Sequence, residues 1–535
     1  MKIKSIPQAK NAVYGNESEF SLPLNISLDN YKEKAKTLID ALFCDYAVTG
    51  TEGTIKASFD KNLKIKGEYS LKISSGKAHI TYGDYEGLRN ALAHISNILK
   101  IREGKAYLPE CDFSDKPRFT HRGVMIDLAR GIPDKERFLD DLALMAKAKI
   151  NILHLHLSDN KGFAIKLSSL KEEMFIENAY GISEMKELIK LCDALGFNII
   201  PEFDCPGHSG KLVECYPDLT CETDLQEQSK WTPCIGEESV FKIYENIIDE
   251  LCEIFPGEYF HIGGDELSFD DLGLVAKCHW ADCKKCNALM KEKGIADVQD
   301  LYYYVMTNVC EMVKKNGKTV IMWNDQIDTE RDVKLPSDII LHFWRVAAPM
   351  RGPHINVSMN SQLKTGRKMI NSHYPEAYVD IDYTHERANR EDTIGDWKID
   401  ERPYSDDELK KNIMGSEMCA WDYGNEKDSP HYSYTLPSEI LIYGDKMWNN
   451  EYFTIDEEYE KALTRILLGF TCPDDLNVFA CLGGALLPRK NERCITSKIT
   501  KEKAFLLETK NALSKIPGRL SKIYTECIVE ALEKI

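Results

Sequence analysis

From residue 117 onward one rhythm recurs: a short apolar run that reads as a buried strand, then residues with helical spacing. The runs occupy 124–126, 150–157, 197–203, 259–262, 319–323, 339–344, 368–371 and 413–421. Helical periodicity is clearest over 134–147, 183–195, 239–255 and 300–315. Strands that are apolar on both faces belong in a parallel sheet covered by helices. Eight of them are the number a closed (β/α)8 barrel requires. The fold class expected is therefore α/β, a (β/α)8 TIM barrel over residues 117–450. Residues 1–116 read as a small α+β domain, with hairpin strands at 70–74 and 78–82 around Ser75-Gly76-Lys77 and a helix over 85–100. The strongest helical patterns beyond the barrel are 457–469 and 501–535, so 451–535 is expected to be a helical C-terminal region packed on it. The polar, aperiodic stretch 380–407 reads as a long loop following a strand.

In such a barrel the functional site lies where the strands end. In chain order those ends carry Asp127 and Arg130; His154, His156 and Asp159; Glu202, Asp204 and His208; His261, Asp265 and Glu266. Then follow Trp323 with Asn324 and Asp325, Trp344, Tyr374 or Tyr378 with Asp380, and Glu417 with Trp421. The central stretch is Tyr259-Phe260-His261-Ile262-Gly263-Gly264-Asp265-Glu266-Leu267. Its strand breaks at two glycines, which would let a ligand approach the backbone closely, and two acids follow. Taken singly, each feature has an ordinary explanation: a solvated acidic pair, core histidines, core indoles. Together they describe a deep acidic pocket walled by aromatic rings, which suits a sugar.

The net charge of −18 sets nucleic acid and anionic membranes aside as default partners. No apolar leader opens the chain and no run is long enough to span a bilayer, so a cytoplasmic location is expected. The 17 cysteines are scattered and read as reduced thiols.

Four stretches carry a family resemblance. They are Arg122-Gly123-Val124-Met125-Ile126-Asp127-Leu128-Ala129-Arg130, the run from Lys149 to Asp159 with His154-Leu155-His156, Pro201-Glu202-Phe203-Asp204-Cys205-Pro206-Gly207-His208, and His261-Ile262-Gly263-Gly264-Asp265-Glu266. In this order they resemble the motifs of family 20 glycoside hydrolases, the β-N-acetylhexosaminidases, and the likeness extends over about 70–448. The resemblance implies an exo-acting, retaining hydrolase in which the sugar's own 2-acetamido oxygen attacks the anomeric carbon, an exception to the usual two-carboxylate route. It implies that Glu266 is the general acid and then base. Asp265 holds the acetamido N–H, Tyr378 holds its carbonyl oxygen, and Trp323, Trp344 and Trp421 wall its methyl group. Arg130, His156 and Asp380 would bind sugar hydroxyls, while Asp159 and His208 orient Glu266. The partner implied is an oligosaccharide or glycoconjugate ending in a β-linked N-acetylhexosamine, and no cofactor is implied. The chain departs from the family pattern at Leu155, Asn160, Phe163 and Tyr423, where Trp, Asp, Trp and Glu are common.

The segment Cys278-His279-Trp280-Ala281-Asp282-Cys283-Lys284-Lys285-Cys286 offers Cys283 and Cys286 at a zinc-ligand spacing, with further ligands required from elsewhere. The simpler reading is reduced surface cysteines in a loop. Two other functions compete with the glycosidase. A metal-dependent barrel hydrolase would use His154, His156, His208 and Asp265 as ligands. An inactive carbohydrate-binding barrel would have no use for the acidic pair.

Overall fold

A computed structural model describes residues 5–9, 11–223, 231–267, 278–344, 359–374, 377–379, 398–399, 402–403, 410–424, 432–449, 455–481 and 503–533. Its centre is a closed barrel of eight parallel strands: β1 (His121–Asp127), β2 (Ile152–His156), β3 (Asn198–Glu202), β4 (Tyr259–His261), β5 (Thr319–Trp323), β6 (Ile340–Phe343), β7 (Met369–Asn371) and β8 (Ile413–Ala420). Each strand pairs with the next, and β8 closes on β1. All eight apolar runs thus became barrel strands: β1 reaches beyond its run at both ends, β5 matches its run, and the other six are trimmed by one to three residues where the backbone turns out of the ladder.

Helices Lys135–Lys147, Ile182–Ala194, Glu238–Ile254 and Val298–Lys315 follow the first four strands. The alternation then lapses. Residues 324–339 connect β5 to β6 through turns alone, because they contain Pro336 and no apolar stripe at helical spacing. Of the expected loop 380–407, only Lys398–Ile399 and Arg402–Pro403 are described, as a two-stranded ribbon.

The N-terminal end of the barrel is plugged by Ile152, Ile200, Ile321, Ile340 and Ile370, one from each of five strands. A six-stranded sheet, which includes Tyr69–Ser74 and Lys77–Tyr82 as an antiparallel hairpin, carries helices Lys32–Phe43 and Tyr85–Ile98, which pack against barrel helices Lys135–Lys147 and Ile182–Ala194. Asp84 caps the second helix by accepting from Gly87 N at 2.7 Å. A buried Lys149 ties this unit to the barrel, lying 3.2 Å from Asp115 Oδ2, which also accepts from Trp448 Nε1 at 3.0 Å. Beyond the barrel, helix Glu457–Leu468 forms as expected. The pattern over 501–535 splits into Lys503–Leu513 and Arg519–Glu533, interrupted at Pro517-Gly518. Among the described residues no helix is long and apolar enough to cross a membrane.

Candidate active site

Strand register sets the polar residues side by side. Asp127 pairs with His156, His156 with Glu202, and Glu202 with His261. Within the barrel this produces a fully buried lattice of imidazoles and carboxylates. Glu417 reaches His121 Nε2 at 2.5 Å and His154 Nδ1 at 3.0 Å. Glu202 reaches His156 Nδ1 at 2.6 Å and His154 Nε2 at 3.2 Å, and accepts from Trp323 Nε1 at 2.8 Å. Gly123 makes room for Glu417, since a Cβ there would lie 2.3 Å from Glu417 Cγ. Burial alone would lower His154, but Glu417 and Glu202 hold it up at about 9. Burial would likewise raise Glu417, yet His342 and His154 keep it well below the usual carboxylate range.

Glu417→Gln should therefore take from the buried His154 the first of its two carboxylate partners, leaving only Glu202 beside it. We expect a loss of about 3–5 kcal/mol in denaturant titrations, the cost of breaking a buried pair from one side. The sign of its pH dependence follows from both partners. The depressed Glu417 contributes stability above about pH 4.3, lost as pH falls through its folded value. The raised His154 contributes fully below about pH 6.5, and that contribution fades as pH climbs through about 9. The gap between wild type and variant should be widest from about pH 4.5 to 6.5 and narrow on both sides. A gap that is constant with pH contradicts this assignment of charges.

Above the lattice, β4 ends at His261 and the chain turns sharply, with φ of 63° at Gly263, 96° at Gly264 and 55° at Glu266. A Cβ on Gly263 would lie 1.9 Å from Asp204 Oδ1. The glycines thus admit protein atoms rather than a ligand: Asp204 Oδ1 accepts from Gly264 N at 3.3 Å, and Tyr302 donates to Gly264 O at 2.7 Å. Glu266 N donates to Asp325 Oδ2 at 3.0 Å.

This turn sends the two acids into different surroundings. Asp265 is buried, and its Oδ1 has no hydrogen-bond partner among the described residues. The Glu266 side chain is 28% exposed. Burial, then the charges of Asp204, Asp325 and Glu266, push Asp265 well above the usual carboxylate range, with His208 opposing them.

His208 lies between the acids and their support. Its Nε2 lies 3.4 Å from Glu266 Oε2 and 3.6 Å from Asp265 Oδ2. Its Nδ1 lies 3.3 Å from Asp159 Oδ2, which also meets Arg130 at 2.8 Å and His156 Nε2 at 3.2 Å. Against burial, Asp159 and Asp204 hold His208 well above its ordinary value, which favours the imidazolium. Trp231 packs its ring 5.6 Å from that of His208.

An aromatic box stands beside the acids. Trp323 and Trp421 are 6.1 Å apart between centroids, Trp421 and Tyr378 6.2 Å, and Tyr378 stacks on Trp344 at 6.1 Å. Trp344 is fixed from the acid turn, because its Nε1 donates to Asp325 Oδ1 at 3.2 Å. Of the two candidate tyrosines, Tyr378 is the buried member of the box, and Tyr374 packs edge-on against it at 5.2 Å. Asp380 lies outside the described residues.

Several expected positions shift. His156 lies under the pocket instead of lining it, with both ring nitrogens engaged by Glu202 and Asp159 and its edge against Trp421. Arg130 spans Asp127 and Asp159 and lies over Trp421 at 5.1 Å. Tyr423 turns away to donate to Asp141 Oδ2 at 2.7 Å, while Asp422 stays at the strand end, its N–H donating to Asp127 Oδ2 at 2.9 Å. Phe163 packs on Phe203 in the core. Asn160 accepts from Gly210 N at 2.8 Å and approaches His208 Nδ1 at 3.5 Å. His154 and His156, two of the ligands in the metallohydrolase reading, stand with their ring nitrogens 2.6–3.2 Å from the carboxylates of Glu202, Glu417 and Asp159. Cys283 and Cys286 are buried rather than on the surface, and they are joined by Cys221 and Cys234.

Sequence reasoning gave no part to Trp231 or Tyr302, which carry no motif, nor to Cys221 and Cys234. It named Asp325 at a strand end without a role. The signal for Asp325 was its place directly after Trp323-Asn324.

Residues 119–450 match the model of the glycosyl hydrolase family 20 catalytic domain. A protein of Akkermansia muciniphila described as a beta-hexosaminidase is 30% identical over 341 residues, covering 58% of this chain. The chain spans 64% of that relative's length. Among solved structures, a Flavobacterium johnsoniae chitobiase superposes with a TM-score of 0.70 at 21% identity, over 99% of this chain and 88% of the other. A Vibrio harveyi exo beta-N-acetylglucosaminidase in complex with N-acetylglucosamine gives 0.68 at 19% identity, over 88% and 78%. At these identities the structural matches speak for the fold.

Proposed function

The chain belongs to glycosyl hydrolase family 20, and from that membership we propose that it removes terminal β-linked N-acetylhexosamine with retention, using the substrate's acetamido group as nucleophile. One observation carries the reading: the buried Oδ1 of Asp265, without a hydrogen-bond partner among the described residues, belongs to the same strand-end cluster as the rings of Trp323, Trp344, Tyr378 and Trp421, next to a part-exposed Glu266. Support for the sugar comes from the beta-hexosaminidase named above and from the neighbour solved with N-acetylglucosamine.

The reaction follows from these placements. Trp323, Trp344, Tyr378 and Trp421 enclose the acetyl methyl and hold the amide beneath the ring, a proximity effect. Asp265 Oδ1 accepts the acetamido N–H, and Tyr378 donates to the carbonyl oxygen. That oxygen attacks the anomeric carbon as Glu266 gives its proton to the departing glycosidic oxygen. The product is an oxazolinium ion; its positive charge, together with His208 3.6 Å from Asp265 Oδ2, favours the ionised form of the otherwise raised Asp265, which then balances it. Glu266, now a carboxylate, takes a proton from water as the water attacks the same carbon and reopens the ring. Asp159 and His208 position Glu266 without touching the sugar. Arg130 and Asp422 face the outer hydroxyls, the task a Glu at position 423 performs in the family pattern.

Asp265 tests the proposal. The wild-type chain should release N-acetylglucosamine from an aryl β-N-acetylglucosaminide. Asp265→Asn should raise the barrier by about 2.7–4 kcal/mol, roughly a hundred- to a thousandfold in kcat, as for one preorganised group at a developing charge. The loss should fall on kcat more than on KM, because the charge appears only as the ring closes. Equal rates in the two proteins, or no release by the wild type, contradicts the proposal.

A further inference from the structure

Cys221, Cys234, Cys283 and Cys286 come from two segments far apart in sequence, one after β3 and one after β4, yet their sulfurs all lie within 4.8 Å of one another. All four are buried. Cys234 Sγ stands 3.5 Å from Cys283 Sγ and 3.6 Å from Cys286 Sγ. These separations are too long for a disulfide, which needs about 2.05 Å. They are close to the edge of a sulfur tetrahedron around one metal: a Zn–S bond of about 2.3 Å gives an edge of roughly 3.8 Å.

The local chain is built like a ligand loop. Cys283 is the N-cap of helix Lys284–Lys293, and Cys286 lies in its first turn, so the pair has the two-residue spacing of a zinc knuckle. The backbone N–H of Cys286 faces the Cys283 sulfur, a donor suited to a thiolate. On the other segment, Cys234 N donates to Leu219 O at 2.6 Å, which fixes the approach to Cys221. Trp280 Nε1 donates to Pro233 O at 2.9 Å, so the two segments are already registered beside the cluster. Four thiols in a dry pocket gain little from one another, since S–H is a weak donor and sulfur a weak acceptor.

We infer that these four cysteines bind one zinc ion in a closed tetrahedral site, Zn2+ replacing the thiol protons, which leave to buffer. With all four positions taken by protein the ion has no open site for water, so it is structural. It staples together two walls of the pocket. One segment carries His208 and Trp231, whose carbonyl accepts from Ser209 N at 2.9 Å, three residues before Cys234. The other carries Asp265 and Glu266. The inference rests on the cysteines alone and does not depend on the proposed activity.

Elemental analysis of the purified full chain should find one zinc per molecule. Cys286→Ser should lose it, while Cys278→Ser, a buried cysteine outside the cluster, should keep it. Should Cys286→Ser fail to fold, cobalt exchanged into the wild type decides instead, through the intense visible bands of a tetrahedral tetrathiolate. A folded wild-type chain that carries no zinc after incubation with the metal, that carries iron there, or whose cobalt form lacks those bands overturns the inference.

Discussion

Glu266→Gln should fold normally and lose turnover of natural oligosaccharides by about 10²–10⁴-fold, the usual worth of one positioned proton donor. The side chain changes little in volume and is already part-exposed, so the neighbouring hydrogen bond from Glu266 N to Asp325 survives. The loss should depend on the leaving group. A sugar on a good leaving group, such as a dinitrophenolate, departs without a proton, so the first step is spared. The second step still needs a base for water, which Gln cannot supply. With such a substrate the variant should show a burst of phenolate followed by slow turnover, measured by stopped-flow absorbance. A wild-type rate on oligosaccharides would assign the acid to another residue.

Much of the fold was legible because a parallel barrel writes itself plainly. Strands buried on both faces appear as continuous apolar runs, and the run 319–323 coincides with β5. Less could be read where the rhythm fails, as between β5 and β6, or where Pro517-Gly518 breaks one helical pattern into two helices. The acids, histidines and indoles of the site were legible for a related reason: strand ends converge in a barrel, so position in the sequence implies position in the pocket. Depth was not legible. Nothing in the order His154-Leu155-His156 says that Glu202 and Asp159 occupy both nitrogens of His156. Tyr423 likewise gave no sign that Asp141 would draw it away from the pocket. The cysteine cluster escaped because Cys221 and Cys234 precede Cys283 by 62 and 49 residues, and only folding of two segments brings them together.

The proposed reaction requires the acetamido oxygen to be the nucleophile, with the amide N–H held by Asp265, its oxygen by Tyr378 and its methyl by Trp323, Trp344 and Trp421. The direct measurement is kcat/KM for aryl β-glucosaminides whose N-acetyl group carries zero, one, two or three fluorines, with the plain β-glucoside as the limit. Fluorine drains electron density from the carbonyl oxygen while barely changing its size. If that oxygen attacks the anomeric carbon, kcat/KM falls steeply with each fluorine. The glucoside, with no oxygen to attack and no methyl to fill the box, should then be slower by about 10³-fold or more, given the large effective molarity of a held nucleophile. A flat dependence on fluorine, or turnover of the glucoside at a comparable rate, would show that a protein carboxylate attacks the sugar and would contradict the account.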